Sequence, residues 1–276
     1  MSILYLVATP IGNLEDISPR ALRILAEVKL IAAEDTRHSR KLLTHYDIHT
    51  PLTSYFEHNQ EHKLAEVLAT LQNGNVALIS DAGMPAINDP GYPLVRSALD
   101  AGHEVSPVPG PSAPIAALAA SGLPSDQFLY LGYPPRKSAE RRRAFESVDA
   151  LTYTLIWLES PHRLAATLSD MFAVFKDRQV SVAAEMTKRF ERFYRGSLQD
   201  ALDFFNEEPA RGEFTIVLAG APPQTDRWEE ARVLKALSQG MSGSQTPSQL
   251  ARQVAAESGW LRSQVYDLLK KRSSNE

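Results

Sequence analysis

The sequence predicts an α/β protein with a parallel sheet in its first half, a mixed sheet in its second, and a small helical extension. Three observations predict this. Short apolar runs at Ile3–Ala8, Leu30–Ala33, Val76–Ser80 and Val105–Val108 alternate with helical patterns at Pro19–Val28, Thr36–His45, Glu61–Gln72 and Leu94–Ala101. Such alternation requires crossover connections and hence a largely parallel sheet. After the small-residue helix of Ala113–Pro124 the strands lengthen, at Phe128–Gly132, Thr152–Leu158, Val180–Glu185, Phe193–Ser197 and Phe214–Ala219. Helices interrupt them at Ala139–Ser147, Pro161–Phe175 and Leu198–Asn206, and the close pairing of Val180–Glu185 with Phe193–Ser197 implies antiparallel neighbours. Finally, "TPSQLARQVAAESGWLRSQVYDLLKK" reads as two helices about Gly259, with a helix-turn-helix cadence that short helical tails commonly share.

Domains are expected at 1–118, 119–224 and 225–276, with "GAPPQTD" (Gly220–Asp226) as a linker. Ser18-Pro19, Ser160-Pro161 and Thr246-Pro247 each place a hydroxyl N-cap before a proline at the first helical position, where a missing N–H costs nothing.

Composition narrows the classes. At 276 residues, 43% hydrophobic and 22% charged, the chain is ordinary for a globular protein with a buried core. Cysteine is absent, which excludes disulfides, thiolate metal sites and a Cys nucleophile. No apolar stretch is long enough to span a bilayer, and "MSILYLVATP" lacks a basic n-region, so a cytoplasmic setting without membrane association is expected. The net charge of −4 argues against a general nucleic-acid coat, yet basic residues crowd into "TRHSRK", "RKSAERRR" and "TKRFERFYR". Three such clusters in an acidic chain point to a polyanionic partner.

Three loops follow strands of the first half: "ATPIGNLEDIS" (Ala8–Ser18), "SDAGMPAINDPGYP" (Ser80–Pro93) and "SPVPGPSAP" (Ser106–Pro114). In a parallel sheet these gather at the carboxyl ends of the strands, where ligands of α/β proteins bind. Phosphate binding there wants backbone nests together with Lys or Arg. None of the three loops holds either, while Glu15, Asp16, Asp81 and Asp89 are present. A nucleoside triphosphate is therefore disfavoured. A ligand with a cationic centre, an adenosine and no phosphate fits better, and S-adenosylmethionine is such a molecule. "HNQEH" (His58–His62) matches a zinc pattern but sits at a polar helix entrance, with Asn59 as a cap. The Asp81/Asp89 pair could hold Mg²⁺ through oxygen ligands but lacks a phosphate-binding companion. No metal is expected.

"LYLVATPIGNLEDIS", "AAEDTRHSRKLL", "SDAGMPAINDPG", "VPGPSA", "ESPHRL", "EMTKRFE" and "GEFTIVLAG" occur in order from Leu4 to Gly220. Together they resemble the ribosomal RNA small subunit methyltransferase I family of the tetrapyrrole methylase superfamily. The resemblance implies two α/β domains of tetrapyrrole-methylase type with S-adenosylmethionine between them, a small helical C-terminal extension, and a homodimer. It also implies 2′-O-methylation of a cytidine in the decoding centre of 16S ribosomal RNA, on the assembled small subunit. Carried over by motif, the cofactor-binding residues are Pro10, Ser80, Asp81, Ala82, Gly83, Pro85, Asp89 and Ser112, with Leu158, Ala184, Phe214 and Thr215 from the second domain. The chain departs from the family pattern at Ala184-Glu185-Met186-Thr187-Lys188, where "RELTK" followed by His is usual, and at Leu158, where an aromatic is usual. A tetrapyrrole methylase and a non-catalytic RNA-binding module of the same fold are the alternative functions.

Methyl transfer needs the acceptor's proton removed. Lys188 is the candidate base, with Arg189 and Arg192 expected to favour its neutral amine, and Glu185 is the second candidate. Glu159 and Glu185 are also expected to orient Arg163 or Arg189. Phosphate contacts are expected from Arg37, Arg40, Lys41, Arg136, Lys137, Arg141, Arg142, Arg143, His162, Arg163 and Arg189, with Arg136–Arg143 as a mobile clamp. Tyr55, Phe56, Tyr133 or Phe190 could stack on a splayed base.

Overall fold

A computed structural model describes residues 2–56, 59–89, 91–207, 212–222, 228–240 and 246–273. Contacts divide the chain into two compact units, Met1–Gly220 and Ala221–Glu276. The first unit holds two α/β domains, each built on a five-stranded sheet.

In the first domain the elements run β1 (Ile3–Val7), α1 (Pro19–Glu27), β2 (Leu30–Ala33), α2 (Thr36–His45), β3 (Leu52–Ser54), α3 (Gln60–Leu71), β4 (Val76–Ile79), α4 (Tyr92–Asp100) and β5 (Glu104–Val108). The sheet order is β3-β2-β4-β1-β5 and every pairing is parallel. Both faces are covered. Ile31, Ala33, Ala77 and Ile79 meet Ala21, Ile24 and Leu25 of α1 and Leu42 and Leu43 of α2. The alternate residues, Leu30, Ala32, Val76 and Leu78, meet Val67 and Leu71 of α3 and Leu94 and Ala98 of α4. Two-residue alternation on a sheet buried on both sides explains why these strands read as continuous apolar runs. Strand β3, three residues after Pro51 at the sheet edge, is too short to announce itself.

The chain leaves β1 toward β2 and leaves β4 toward β5, in opposite directions across the sheet and over opposite faces. The carboxyl ends of adjacent β1 and β4 therefore form a topological switch point, where the connections diverge and open a crevice. A two-residue bridge ties the two loops there: the Thr9 N–H donates to Gly83 O at 2.9 Å and the Gly83 N–H to Thr9 O at 3.0 Å.

The second domain contains α5 (Ala113–Ser121), β6 (Phe128–Tyr130), α6 (Ser138–Glu146), β7 (Thr154–Glu159), α7 (Leu164–Phe175), β8 (Gln179–Ala184), β9 (Arg192–Ser197), α8 (Leu198–Glu207) and β10 (Phe214–Leu218). Its order is β6-β7-β10-β8-β9, with β6 and β7 parallel and the other neighbours antiparallel. One face carries the larger core, with Trp157, Val182, Phe214 and Ile216 against Phe145, Leu168, Met171 and Phe205. On the other face Ile156, Ala183 and Val217 meet Ala117 and Leu118 of α5. Helix α5, which the sequence assigns to the end of the first domain, thus packs on the second sheet.

Two of the three hydroxyl–proline starts behave as expected. Ser18 accepts from the Ala21 N–H, and Thr246 forms a reciprocal capping box with Gln249. The third does not: Pro161 lies in a turn, and α7 begins at Leu164. The Glu159 carboxylate takes the Ser160 N–H at 2.8 Å, so the local bonding belongs to a side chain one residue earlier. Asn59 stands at the N-cap of α3 without capping it; its side chain turns back to the Phe56 N–H and to Ser54.

The second unit consists of α9 (Glu230–Gly240), α10 (Pro247–Ser258) and α11 (Arg262–Ser273). Val233, Leu237, Leu250, Val254, Val265 and Leu269 form its core. Helix α9, not among the elements expected from the sequence, buries Val233 and Leu237 one turn apart, with Ala236 packed beside them. Gly259, in the left-handed region at φ 68°, ends α10, and the Trp260 indole donates to Trp228 O at 2.7 Å. Residues 223–226 of the expected linker lie outside the described residues.

The structure corrects the expectation that Arg141 contacts a ligand. Arg141 is only 4% exposed, and its Nε donates to Asp170 Oδ2 at 2.8 Å. Asp170 also accepts from Ser138 Oγ at 2.9 Å and Arg142 Nε at 2.6 Å, joining α6 to α7. Removing one partner from a buried pair strands the other charge, which costs roughly 3–5 kcal/mol. Asp170→Ala is expected to lower the stability of the chain by about that amount in urea titrations, whereas exposed Arg143→Ala should stay within about 0.5 kcal/mol of the parent.

Candidate active site

The loop after β1, the loop after β4 and the start of α5 meet the carboxyl ends of β6 and β7, the amino end of β10 and the segment after β8 around one cavity of about 230 Å³. From the first domain come Ile11, Glu34, Asp81–Met84, Ile87–Asp89 and Ser112. Tyr130, Tyr133, Leu158, Glu185, Met186, Lys188 and Glu213–Thr215 close it from the second. The space admits a ligand of nucleoside size, so a macromolecular acceptor can present only one small group to it.

Eight of the residues expected to bind a cofactor line this cavity: Asp81, Ala82, Gly83, Asp89, Ser112, Leu158, Phe214 and Thr215. Four do not. Pro10 and Ser80 line a smaller adjoining cavity with Thr9, His38 and Lys41, and Ser80 accepts from Thr9 Oγ1 through its carbonyl at 3.1 Å. Pro85 and Ala184 are buried outside the lining.

Five carboxylates and one ammonium face the cavity. Glu34, Asp81 and Asp89 cluster at the first-domain wall. The Asp81 N–H donates to Glu34 Oε2 at 3.3 Å, and Asp81 Oδ1 accepts from the Asp35 N–H at 3.1 Å. Burial pushes the Asp89 carboxyl up to about 6, with the charges of Glu34 and Asp81 adding to it. Glu34 is raised as well, chiefly by burial. Tyr130 is pushed up to about 12 by burial and by Tyr133 and Asp89. Helix α2 offers no anion site beside them, since its own Asp35 caps it, accepting from the Arg37 N–H at 2.8 Å.

Across the cavity Lys188 Nζ lies 2.9 Å from Glu185 Oε1 and 3.9 Å from Glu213 Oε2. Its charged partners within 4 Å are these carboxylates, not the guanidiniums of Arg189 and Arg192. Arg189 instead lies over the Phe190 ring, 5.5 Å from its centroid. The expected partner of Glu159 is found: it pairs with Arg163 at 3.2 Å.

Backbone strain concentrates here. Ala86 and Asn88 in the first-domain loop, and Glu185 and Thr187 in the second-domain segment, all adopt φ between 51° and 67°. Non-glycine residues rarely do so, and such positions persist where the surroundings over-determine them. Two glycines explain how the walls close. A Cβ on Gly12 would lie 2.6 Å from Lys188 Cγ, and one on Gly132 only 2.0 Å from Asn88 Nδ2.

Of the expected polyanion contacts, Arg37, Arg40, Lys41, Arg136, Lys137, Arg143, His162 and Arg189 are exposed. Arg40, Lys41 and Arg37 line a shallow groove with Thr36 and Thr44. Arg163 is partly buried and internally paired, and Arg142 is half-exposed with its Nε on Asp170. Tyr55 is fully buried and cannot stack on a ligand, while Phe56, Tyr133 and Phe190 are exposed. His58 lies outside the described residues, and His62 is exposed on α3. Glu34, Asn88, Tyr130, Met186 and Glu213 are lining residues the sequence did not single out. Glu34 had a usable signal, since it directly follows a parallel strand as the recognised loops do.

The family model for Tetrapyrrole (Corrin/Porphyrin) Methylases matches residues 3–202. Solved structures share the fold: diphthine synthase superposes with a TM-score of 0.60 at 14% identity, covering 79% of this chain and 90% of that one. A Thermus thermophilus uroporphyrin-III C-methyltransferase, complexed with S-adenyl homocysteine, gives a TM-score of 0.54 at 20% identity, covering 79% of this chain and 97% of that one. The fold is thus that of the tetrapyrrole methylases. Among curated relatives, ribosomal RNA small subunit methyltransferase I of Synechocystis is 47% identical, covering 97% of both chains. The Bacillus subtilis protein of that name is 39% identical, covering 97% of this chain and 94% of the relative. The chain belongs to the ribosomal RNA small subunit methyltransferase I family. No helix among the described residues is long and apolar enough to cross a membrane.

Gly132 sits at φ 64° as well as against Asn88. Gly132→Ala is expected to cost about 1–3 kcal/mol from the backbone strain alone. Combining it with Asn88→Ala should recover part of that loss in a double-mutant cycle read by urea titration.

Proposed function

We propose that the chain transfers a methyl group from S-adenosylmethionine to the 2′-oxygen of a cytidine in the decoding centre of 16S ribosomal RNA. The acceptor on this reading is the assembled small subunit and the enzyme a cytoplasmic homodimer. The observation that carries it is the cavity's charge: five carboxylates against one ion-paired ammonium, at a switch point whose loops hold no Lys or Arg. A polyphosphate would be repelled there, and a cationic donor attracted. The names of the relatives and the exposed basic groups on α2, on α6 and before α7 support an RNA acceptor over a tetrapyrrole.

Bound S-adenosylmethionine would supply an activated methyl group on a sulfonium. Asp81, Asp89 and Glu34 would face its positive charge and ribose hydroxyls, and Leu158, Met186 and Phe214 would wall the adenine. Both walls being fixed, by strained loops and glycine contacts, favours an in-line approach without reorganisation. Glu185 would accept the hydrogen bond of the ribose hydroxyl, and Lys188, 2.9 Å from it, would orient that carboxylate. Arg37, Arg40, Lys41, Arg136, Lys137, Arg143, His162 and Arg189 would contact phosphates, setting affinity more than sequence preference.

The raised Asp89 carboxyl gives a pH signature. Below about 6 it is protonated and neutral. A cation that needs its charge must then displace the proton. Donor affinity, read by calorimetry, is expected to weaken up to about tenfold from pH 7 to pH 5, and Asp89→Asn should flatten that slope.

Glu185→Gln is expected to slow single-turnover methyl transfer to unmodified small subunits by about 10²-fold or more. Mapping the methylated nucleotide in the same reaction tests the site. An unchanged rate would remove Glu185 as proton acceptor, and a methyl group on a base would overturn the 2′-oxygen. Arg40→Ala should reduce the slope of log affinity against log salt by roughly 0.7–0.9, as expected for losing one phosphate contact.

A further inference from the structure

Two guanidiniums expected to grip RNA are instead turned inward onto one stretch of backbone. Arg163 Nη2 donates to Pro134 O at 2.5 Å and Pro135 O at 3.3 Å. Arg141 Nη1 donates to Pro135 O at 3.3 Å and Arg136 O at 3.1 Å. Each is anchored by a buried carboxylate, Glu159 and Asp170 respectively. Glu159 is itself held by Thr167 Oγ1 at 2.6 Å and the Ser160 N–H at 2.8 Å. The carbonyls of three consecutive residues are thus fixed from below by charge-assisted hydrogen bonds, which are stronger than neutral ones. On its other side the segment starts at Gly132, pressed against Asn88 and bonded through its carbonyl to the Leu158 N–H at 3.0 Å.

The residue this scaffold presents is Tyr133. It lines the cavity yet is 56% exposed, so its ring stands at the mouth. Arg136 and Lys137, both exposed, follow within four residues. An acceptor that inserts only a ribose hydroxyl must leave its base just outside, against whatever surface the mouth provides. Unstacked bases bind proteins by stacking on aromatic faces.

We infer that Tyr133 is the stacking platform for the base of the nucleotide being methylated, and that Arg163, held by Glu159, is a positioning residue that keeps it at the cavity mouth. The inference rests on the RNA reading above and adds to it the surface that receives the base. A planar fork spanning a carboxylate and two carbonyls is a task for Arg and not for Lys, whose ammonium is a point charge on a flexible stem. The fixed position also limits the entropy lost when the base docks.

The test uses the full chain, tritiated S-adenosylmethionine and small ribosomal subunits lacking the modification. Tyr133→Leu is expected to raise KM for the subunit about tenfold, with donor affinity by calorimetry changed far less, and Tyr133→Phe should restore the parent KM. Arg163→Lys should raise the same KM, and the Tyr133→Leu/Arg163→Lys double variant should be no worse than Tyr133→Leu alone. That non-additivity marks a residue acting through Tyr133. A merely structural role for Arg163 would instead lower the melting temperature and donor affinity, and its effect on KM would add to that of Tyr133→Leu. An unaltered KM in Tyr133→Leu, or an equal loss of donor and subunit binding, overturns the inference and leaves the proposed activity standing. If the parent chain transfers no methyl group to subunits at all, the proposed activity falls and this inference with it.

Discussion

Glu34, Asp81 and Asp89 share one partly buried wall with no basic side chain from their own domain among the cavity's lining. Holding like charges together out of water is costly, and the raised carboxyls of Glu34 and Asp89 register that cost. The backbone offsets part of it: the N–H groups of Asp35 and Asp81 point at carboxylate oxygens of Asp81 and Glu34. What the fold leaves unneutralised defines the ligand. A site of this sign is stabilised by a cation and destabilised by a phosphate, whatever the rest of the surface carries.

The opposite wall is built on different logic. Its sheet is mixed, so β7 and β10 run in opposite senses, and Leu158 and Thr215 are register partners that both reach the cavity. The segment after β8 then turns through two left-handed residues, Glu185 and Thr187, to bring Lys188 over Gly12. Strain at Ala86 and Asn88 mirrors it from the other side. The walls approach closely where a side chain on Gly12 or Gly132 would collide, and Ile11 packs against the apolar cluster of the second sheet beside them.

Basic residues separate into two populations that share one composition. Arg37, Arg40, Lys41, Arg136, Lys137 and Arg143 are solvent-facing, with Arg37 paired to Asp35 and Lys137 to Glu140 at the surface. Arg141 sits within the same run, "RKSAERRR", as Arg136, Lys137 and Arg143, and Arg163 follows exposed His162 in "ESPHRL", yet both serve as internal struts to carbonyls and buried carboxylates. Helical spacing accounts for the split on α6: with 3.6 residues per turn, Arg141 falls on the stripe with Phe145, which is buried, and Arg143 does not.

By itself the sequence determined the alternation of elements, the parallel and mixed sheets, the caps at Ser18 and Thr246, and the loops that gather at the cavity. These are local properties: periodicity, turn chemistry and the charge carried by each loop. Eight of the twelve cofactor contacts that the family resemblance implies line the cavity. Tertiary structure alone decided the rest. Pro161 could not be placed until Glu159 was seen to take the Ser160 N–H, and Tyr55 could not be told from an exposed ring. Glu213 meets Lys188 across 25 residues of chain, an approach no local pattern records. Whether an arginine faces water or a buried aspartate depends on which helix packs against it, and that pairing, Arg141 on α6 with Asp170 on α7, exists only once the chain has folded.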